Sequence, residues 1–446
     1  MRMAQPARSS WRQGGASSSP RRTTASAPTG RIPGSPWSWS GTSSIRCIMN
    51  GAASDSAVEE TLRQEFGRVF GRAPEWLARA GGRVNLIGEH TDYHEGYVLP
   101  AAIDLGTVAL GAKRADGRVR VFSANGSRMA EGRLDDLAPP ESATIESYLL
   151  APFYSLCMEG LAPPGADVWL RGDVPLGGGL SSSASLHVAL CGLGAALSDC
   201  GLDPLGIARL AHRAEHDYCR VPCGMMDQLA SACGSEGHAL LIDCRTGALD
   251  PIPIPPSLTL LVFDSGVKHA VGSGEYARRQ QECARGLDAA RRIFPDLASA
   301  RDLDGEKLQA VKDRMDPVAF RRLRHVVTEN ARVLRATQAL RADDGETLGR
   351  LLYASHESLR DDYQVSCLEL DVLVDAAART SGSLGARLTG AGFGGNALVL
   401  AKAGTEADTA SSIAGDFLMA TGRPASWRRV RPGPGLSVRN LSESGS

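Results

Sequence analysis

The sequence predicts a protein of mixed helix and strand with room for two domains, and three observations carry that expectation. The chain has 446 residues, enough for two domains at roughly 150 residues apiece. In its first half a strand-like stretch, 166–174, runs through a glycine and serine turn into an apolar, helix-like stretch, 186–197. The second half opens on another strand-like stretch, 259–264, and continues into helical apolar spacing.

Residues 1–50 stand apart. They are rich in Ser, Arg, Pro, Gly and Thr, contain no Asp, Glu or Lys, and show neither strand nor helix period. They are expected to be a disordered leader, either transit-like or untranslated sequence ahead of a start at Met49. From 55 to 70, Val58, Leu62, Phe66, Val69 and Phe70 fall on one helical face.

The stretch Gly82-Arg-Val-Asn-Leu-Ile-Gly-Glu-His-Thr-Asp-Tyr-His-Glu-Gly-Tyr-Val-Leu-Pro100 gathers a guanidinium, carboxylates and imidazoles between glycines. Such a cluster suits a sugar, whose hydroxyls each donate and accept and are fixed by charge-assisted hydrogen bonds to carboxylates. A metal site at His90, Asp92 and His94, or a solvated turn, fits the spacing as well. Short strands are expected at 107–112 and 119–122.

The turn Val174-Pro-Leu-Gly-Gly-Gly-Leu-Ser-Ser-Ser-Ala-Ser-Leu186 reads as a phosphate cradle. Gly177, Gly178 and Gly179 let the backbone approach an anion, and a helix beginning near Ser182 adds its positive end. The hydroxyls of Ser181, Ser182 and Ser183 are expected to face phosphate or a metal ion. No lysine stands where a P-loop requires one, and a flexible linker is the plain alternative. Further on, 214–229 carries Glu215 and, in an apolar setting, Asp227, which alone would read as a helix cap.

In the second half, Val327, Ala331 and Leu334 are expected on one core-facing helical stripe, with Leu348, Leu351 and Leu352 on another. The charged run 355–366 reads as a helix end without a catalytic role. The glycine turn at 386–396 precedes a strand at 397–401.

Several of these segments resemble a known family. The 174–186 loop is similar to the P-x-x-x-G-L-[SG]-S-S-A motif of GHMP small-molecule kinases. The 82–93 stretch matches, almost letter for letter, the G-R-V-N-[LI]-I-G-E-H-[TI]-D-Y signature of galactokinases. Residues 214–229 resemble A-E-H…P-C-G-[IM]-M-D-Q, residues 355–366 resemble S-x-x-S-L-R-D-D-Y-x-V-S, and residues 386–396 resemble the third GHMP motif, whose turn closes over the active site. The resemblance runs from about Asp55 to near Arg429. It departs at Gly81, where the family usually has proline, and at 145–152, where only Tyr148 of W-x-x-Y-x-x-G-V remains. It departs again at Lys268, which replaces an arginine and loses its planar fork.

The resemblance implies an α+β, two-lobed GHMP kinase fold. Its N-terminal lobe, 51–250, would be like a ribosomal-protein domain and its C-terminal lobe, 251–435, ferredoxin-like, with a tail at 436–446 and the active site in the cleft. It implies transfer of phosphate from ATP, with Mg²⁺, to the anomeric hydroxyl of α-D-galactose. By position, Asp227 would be the base and Arg83 its cationic neighbour. Glu89, His90, Asp92, Gly224 and Tyr276 would hold the sugar. The nucleotide would lie on Gly177, Gly178, Gly179, Leu180, Ser181, Ser182, Ser183 and Ala184, and Mg²⁺ on Ser183 and Glu215. A kinase for N-acetylgalactosamine, arabinose or galacturonate is the neighbouring reading. A non-catalytic galactose sensor is a third, set against the Ser183-Ala184 pair that such sensors lack.

Composition narrows the setting. A formal net charge of −1 suggests no nucleic-acid or membrane partner, and no apolar run approaches membrane-spanning length. The 10 cysteines lack zinc-finger spacing and are expected to be reduced, mostly buried thiols in a cytoplasmic protein.

Overall fold

The structure, a computed structural model, describes residues 56–268 and 274–442; the leader expected at 1–50 lies outside them. The first half is built on a six-stranded sheet of order β13-β1-β3-β6-β4-β5. Its strands are β1 (Trp76–Asn85), β3 (Pro100–Lys113), β4 (Arg118–Ser123), β5 (Arg128–Arg133), β6 (Ala166–Gly172) and β13 (Ser437–Asn440). A smaller sheet joins β2 (Tyr97–Val98), β7 (His238–Asp243) and β8 (Leu249–Pro253), and the second half holds β10 (Ser383–Thr389), β11 (Asn396–Lys402), β9 (Leu258–Asp264) and β12 (Ser426–Val430) in that spatial order.

The central strand β3 is buried along nearly its whole length, because helices cover both faces of the sheet around it. On one face the helix Ser56–Phe70 inserts Leu62 and Phe66 against Leu77, Val108, Leu110 and Trp169; full burial of one such side chain is worth about 1.5–3 kcal/mol. On the other, the helix Ser182–Leu197 packs Val188, Ala189 and Leu193 against Ala78, Ala80 and Ala109. The expected amphipathic face of 55–70 and the expected strand, turn and helix at 166–197 are thus both present.

A third core joins the halves: Val84, Leu86 and Ile87 of the sugar-like stretch pack with Val333, Ala336 and Leu340 of the helix Pro317–Arg341 and with Leu398 of β11. That helix starts cleanly, with Asp316 accepting from the N–H groups of Val318 and Ala319 and with Pro317 at its first position.

Two expectations need correction. Of the stripe Val327, Ala331 and Leu334, only Val327 is buried; Ala331 is exposed and Leu334 is 39% exposed. The core-facing rows are Leu323, Val326, Val333, Ala336 and Leu340, which serve two cores at once and so blur a single apolar stripe. Leu348, Leu351 and Leu352 are buried as expected. The stretch 436–446, expected as a tail, contributes β13, which pairs antiparallel with β1 from Trp76↔Asn440 to Arg79↔Ser437. Its few residues are too short to show a period, yet they cover an edge of the sheet that would otherwise be open.

Candidate active site

Arg83 lies where β1 changes register, between Gly81 and Arg83, an irregularity of the kind that re-aims a side chain. Its Nε donates to Asp227 Oδ1 at 2.9 Å and its Nη2 stands 2.7 Å from the same oxygen. Its Nη1 donates to the Gly179 carbonyl at 2.6 Å. Asp227 occupies the first turn of the helix Met226–Cys233, and its second oxygen accepts from the Ser181 hydroxyl. Asp227, Arg83 and the glycine-serine loop therefore meet at one point. The Ser181 hydroxyl, expected to face phosphate, donates to Asp227.

The loop is built as an anion cradle should be. Gly177 and Gly179 take positive φ, and Ser181 adopts a left-handed conformation just before the helix Ser182–Leu197, which has no side-chain cap. The first amides of that helix are therefore left for another acceptor. The backbone of the third motif closes against it: a Cβ on Gly179 would lie 2.8 Å from the Thr389 carbonyl, and Asn396 Nδ2 donates to the Gly178 carbonyl. Beside the helix start, the buried Glu215 lies in a π turn, Ala214–Tyr218, a local widening common at functional sites. Glu215 accepts from Gln228 Nε2 at 2.8 Å, with His187 Nδ1 at 3.8 Å and the Ser183 hydroxyl also acting on its carboxyl. Burial alone would raise its carboxyl, but these partners outweigh it and hold the group below its usual range. Ser183 and Glu215, expected to share a metal ion, are electrostatically coupled.

The sugar-like residues form the other wall. Asp92 packs so closely on Gly224 that a Cβ there would overlap its Oδ2. Burial, then the negative charges of Asp227 and Glu89, push the Asp92 carboxyl up to about 7. His90 has both ring nitrogens engaged: Nε2 donates to the Ala391 carbonyl at 3.2 Å, and Nδ1 accepts from the Tyr93 hydroxyl at 2.6 Å. Burial, aided by His325, lowers it to about 3 and keeps it neutral. Tyr276 stands 5.5 Å from the His90 ring and 5.2 Å from Tyr93. Glu89 is buried, and its Oε1 accepts from the Gly390 amide at 2.7 Å.

The metal reading of His90, Asp92 and His94 finds no support: among the described residues no three His, Cys, Asp or Glu side chains form a metal-holding group. Sequence reasoning missed Tyr363, which lies in the charged run 355–366. It is fully buried, its ring is 4.7 Å from His90, and its hydroxyl is 3.1 Å from that of Tyr93. Nothing local marks it, since Tyr93, which its hydroxyl meets, lies 270 residues away. Ile145, standing where the family has tryptophan, is 53% exposed, while Tyr148 stacks on His187 at 5.4 Å.

Comparison with known proteins agrees with this geometry. The N-terminal GHMP kinase domain matches residues 147–235 and the C-terminal GHMP domain residues 336–417. Fold and site together therefore define a GHMP-type kinase, an enzyme that takes its phosphate from ATP. The galactokinase galactose-binding signature matches residues 64–113. A galactokinase of Chloroflexus aggregans is 40% identical over 383 residues, 86% of this chain and 98% of the relative. The Homo sapiens galactokinase is 42% identical over 349 residues, 76% of this chain and 87% of the relative. The crystal structure of Lactococcus lactis galactokinase complexed with galactose superposes with a TM-score of 0.81 at 32% identity, covering 85% of this chain and 99% of that one. The chain belongs to the galactokinase family.

Proposed function

We propose that the protein transfers the terminal phosphate of ATP to the anomeric hydroxyl of α-D-galactose, giving galactose 1-phosphate and ADP. The observation that carries this reading is the Arg83–Asp227 pair, lodged between the phosphate loop at Gly179 and Ser181 and the sugar wall of Asp92, Gly224 and Tyr276.

In this reading Asp227 takes the proton of the anomeric hydroxyl while Arg83 and Ser181 hold its carboxylate in register. Arg83 also stands ready to stabilise negative charge on the attacking oxygen. The loop amides and the start of the helix Ser182–Leu197 receive the phosphates. Asp92, Glu89, His90 and Tyr276 orient the ring, so the reaction becomes a matter of positioning and charge neutralisation.

Ser183 and Glu215 would hold Mg²⁺. An all-oxygen pair suits a hard cation that keeps most of its shell for water and phosphate, and the Ser183 hydroxyl already acts on the Glu215 carboxyl. Bound there, the ion would neutralise charge between the transferred and leaving phosphates. We assign the two lobes to 51–250 and 251–435. A cytoplasmic setting fits the free cysteines of the described residues, among which no helix is long and apolar enough to cross a membrane.

The test is ADP release with MgATP over a panel of monosaccharides. Galactose is expected to give the highest kcat/KM and to yield a 1-phosphate by NMR. A higher value for N-acetylgalactosamine, arabinose or galacturonate would move the substrate, and no release with any sugar would reject the reading.

A further inference from the structure

Arg387 of β10 is among the most deeply buried side chains in the molecule, with no exposed surface. Its Nη1 donates to two consecutive carbonyls of the sugar stretch, Asn85 and Leu86, each at 3.0 Å, and lies 3.7 Å from Glu89 Oε1. Its Nε and Nη2 are buried with no hydrogen-bond partner in the protein. Burying the guanidinium with two donors unpaired costs free energy. Charge placed behind Glu89 gives a reason to keep it.

Neighbouring contacts act on the same loop from the same side. Glu329 accepts from the Gly88 amide at 3.0 Å, His325 Nε2 donates to the Glu89 carbonyl at 3.1 Å, and Asn330 Oδ1 accepts from the Tyr97 amide at 2.7 Å. Glu329 is itself fixed by Ser355 at 2.6 Å and by Arg332 at 2.7 Å. The same Glu89 oxygen that faces Arg387 also accepts from the Gly390 amide, next to Thr389, whose carbonyl lies against Gly179 of the phosphate loop.

We propose that Arg387 is a positioning residue for the sugar: its guanidinium sets the path of the backbone at Asn85 and Leu86 and the placement of the Glu89 carboxylate, and so governs sugar affinity without touching the sugar. The proposal rests on the galactose reading above. Because its contacts end on the sugar stretch, its removal should separate the two substrates.

The experiment compares wild type, Arg387→Lys and Arg387→Met by galactose calorimetry, ATP KM and melting temperature. Arg387→Met is expected to weaken galactose binding by between about tenfold and 10²-fold, the scale of a small misplacement imposed from outside the reacting centre, with ATP KM within about twofold of wild type. Arg387→Lys keeps the charge but not the planar fork and should fall between; if Arg387→Met fails to fold, this variant decides alone. Galactose affinity unchanged in the folded variants, or galactose and ATP constants rising in parallel, would make Arg387 a structural residue and overturn the proposal. A wild-type protein that binds no galactose overturns the functional reading together with it. Wild-type binding with unaffected variants overturns the positioning alone.

Discussion

Gln228 Nε2 donates to Glu215 Oε2 at 2.8 Å, and the Ser183 hydroxyl, 32 positions away at the start of the helix Ser182–Leu197, helps lower the same carboxyl. A π turn carries the carboxylate. The pair Ser183 and Glu215 fits a cation held by few protein oxygens, and it sets the first prediction. Ser183→Ala and Glu215→Ala should each raise the Mg²⁺ concentration for half-maximal rate by about tenfold or more. Galactose affinity by calorimetry should stay within about twofold. Unchanged Mg²⁺ dependence in both variants removes them from the metal site.

Asp92 predicts a pH effect. Its folded value is raised to about 7 from an ordinary 3.8, so between these values the folded protein binds a proton that the unfolded chain has released. Stability of the free protein should therefore fall as pH rises from about 4 to 7. Over the same rise toward 7 the carboxylate ionises and accepts sugar hydroxyls more strongly, so galactose should bind more tightly. Asp92→Asn should flatten both profiles, measured by thermal melts and calorimetry across pH. A variant with the wild-type slopes would mean that another group titrates.

Buried charge in the second half predicts a stability effect. Arg322, 2% exposed, donates to Glu282 Oε2 at 2.7 Å, to Gln364 Oε1 at 2.7 Å and to the Asp362 carbonyl. It thereby braces the π turn Leu359–Tyr363 that carries Tyr363 into the site. Arg322→Met leaves Glu282 and Asp362 short of a partner and should cost about 3–5 kcal/mol in urea unfolding. A loss under about 1 kcal/mol would show that the network is already compensated.

These cases also show what was legible in the chain. Gly177 to Ala184, Arg83 and Asp92 stood out because they fall in short glycine-bounded runs, whereas Asp227 alone reads as a helix cap and is marked only by the family resemblance. Tyr363 and Arg387 were not, because each acts through partners that only folding supplies: Tyr363 meets Tyr93, and Arg387 meets Asn85 and Leu86 some 300 residues away. The same holds for Ser181, whose spacing suits a phosphate ligand but whose hydroxyl meets Asp227. The helix Pro317–Arg341 misled because it faces two cores, so no single stripe describes it. Strand β13 is short and earns its place only by pairing with β1.

The most direct measurement replaces the proposed base. Asp227→Asn keeps the size of the side chain and an oxygen to accept from Arg83 but loses the ion pair and cannot take a proton, so it separates proton transfer from sugar binding. Single-turnover formation of galactose 1-phosphate should slow by roughly 10²–10⁴-fold, the range for a lost general base. Galactose affinity by calorimetry should remain close to that of the unaltered protein. Near-full turnover in Asp227→Asn, together with an inactive Arg83→Ala, would contradict the account and assign the work to charge stabilisation by Arg83 alone.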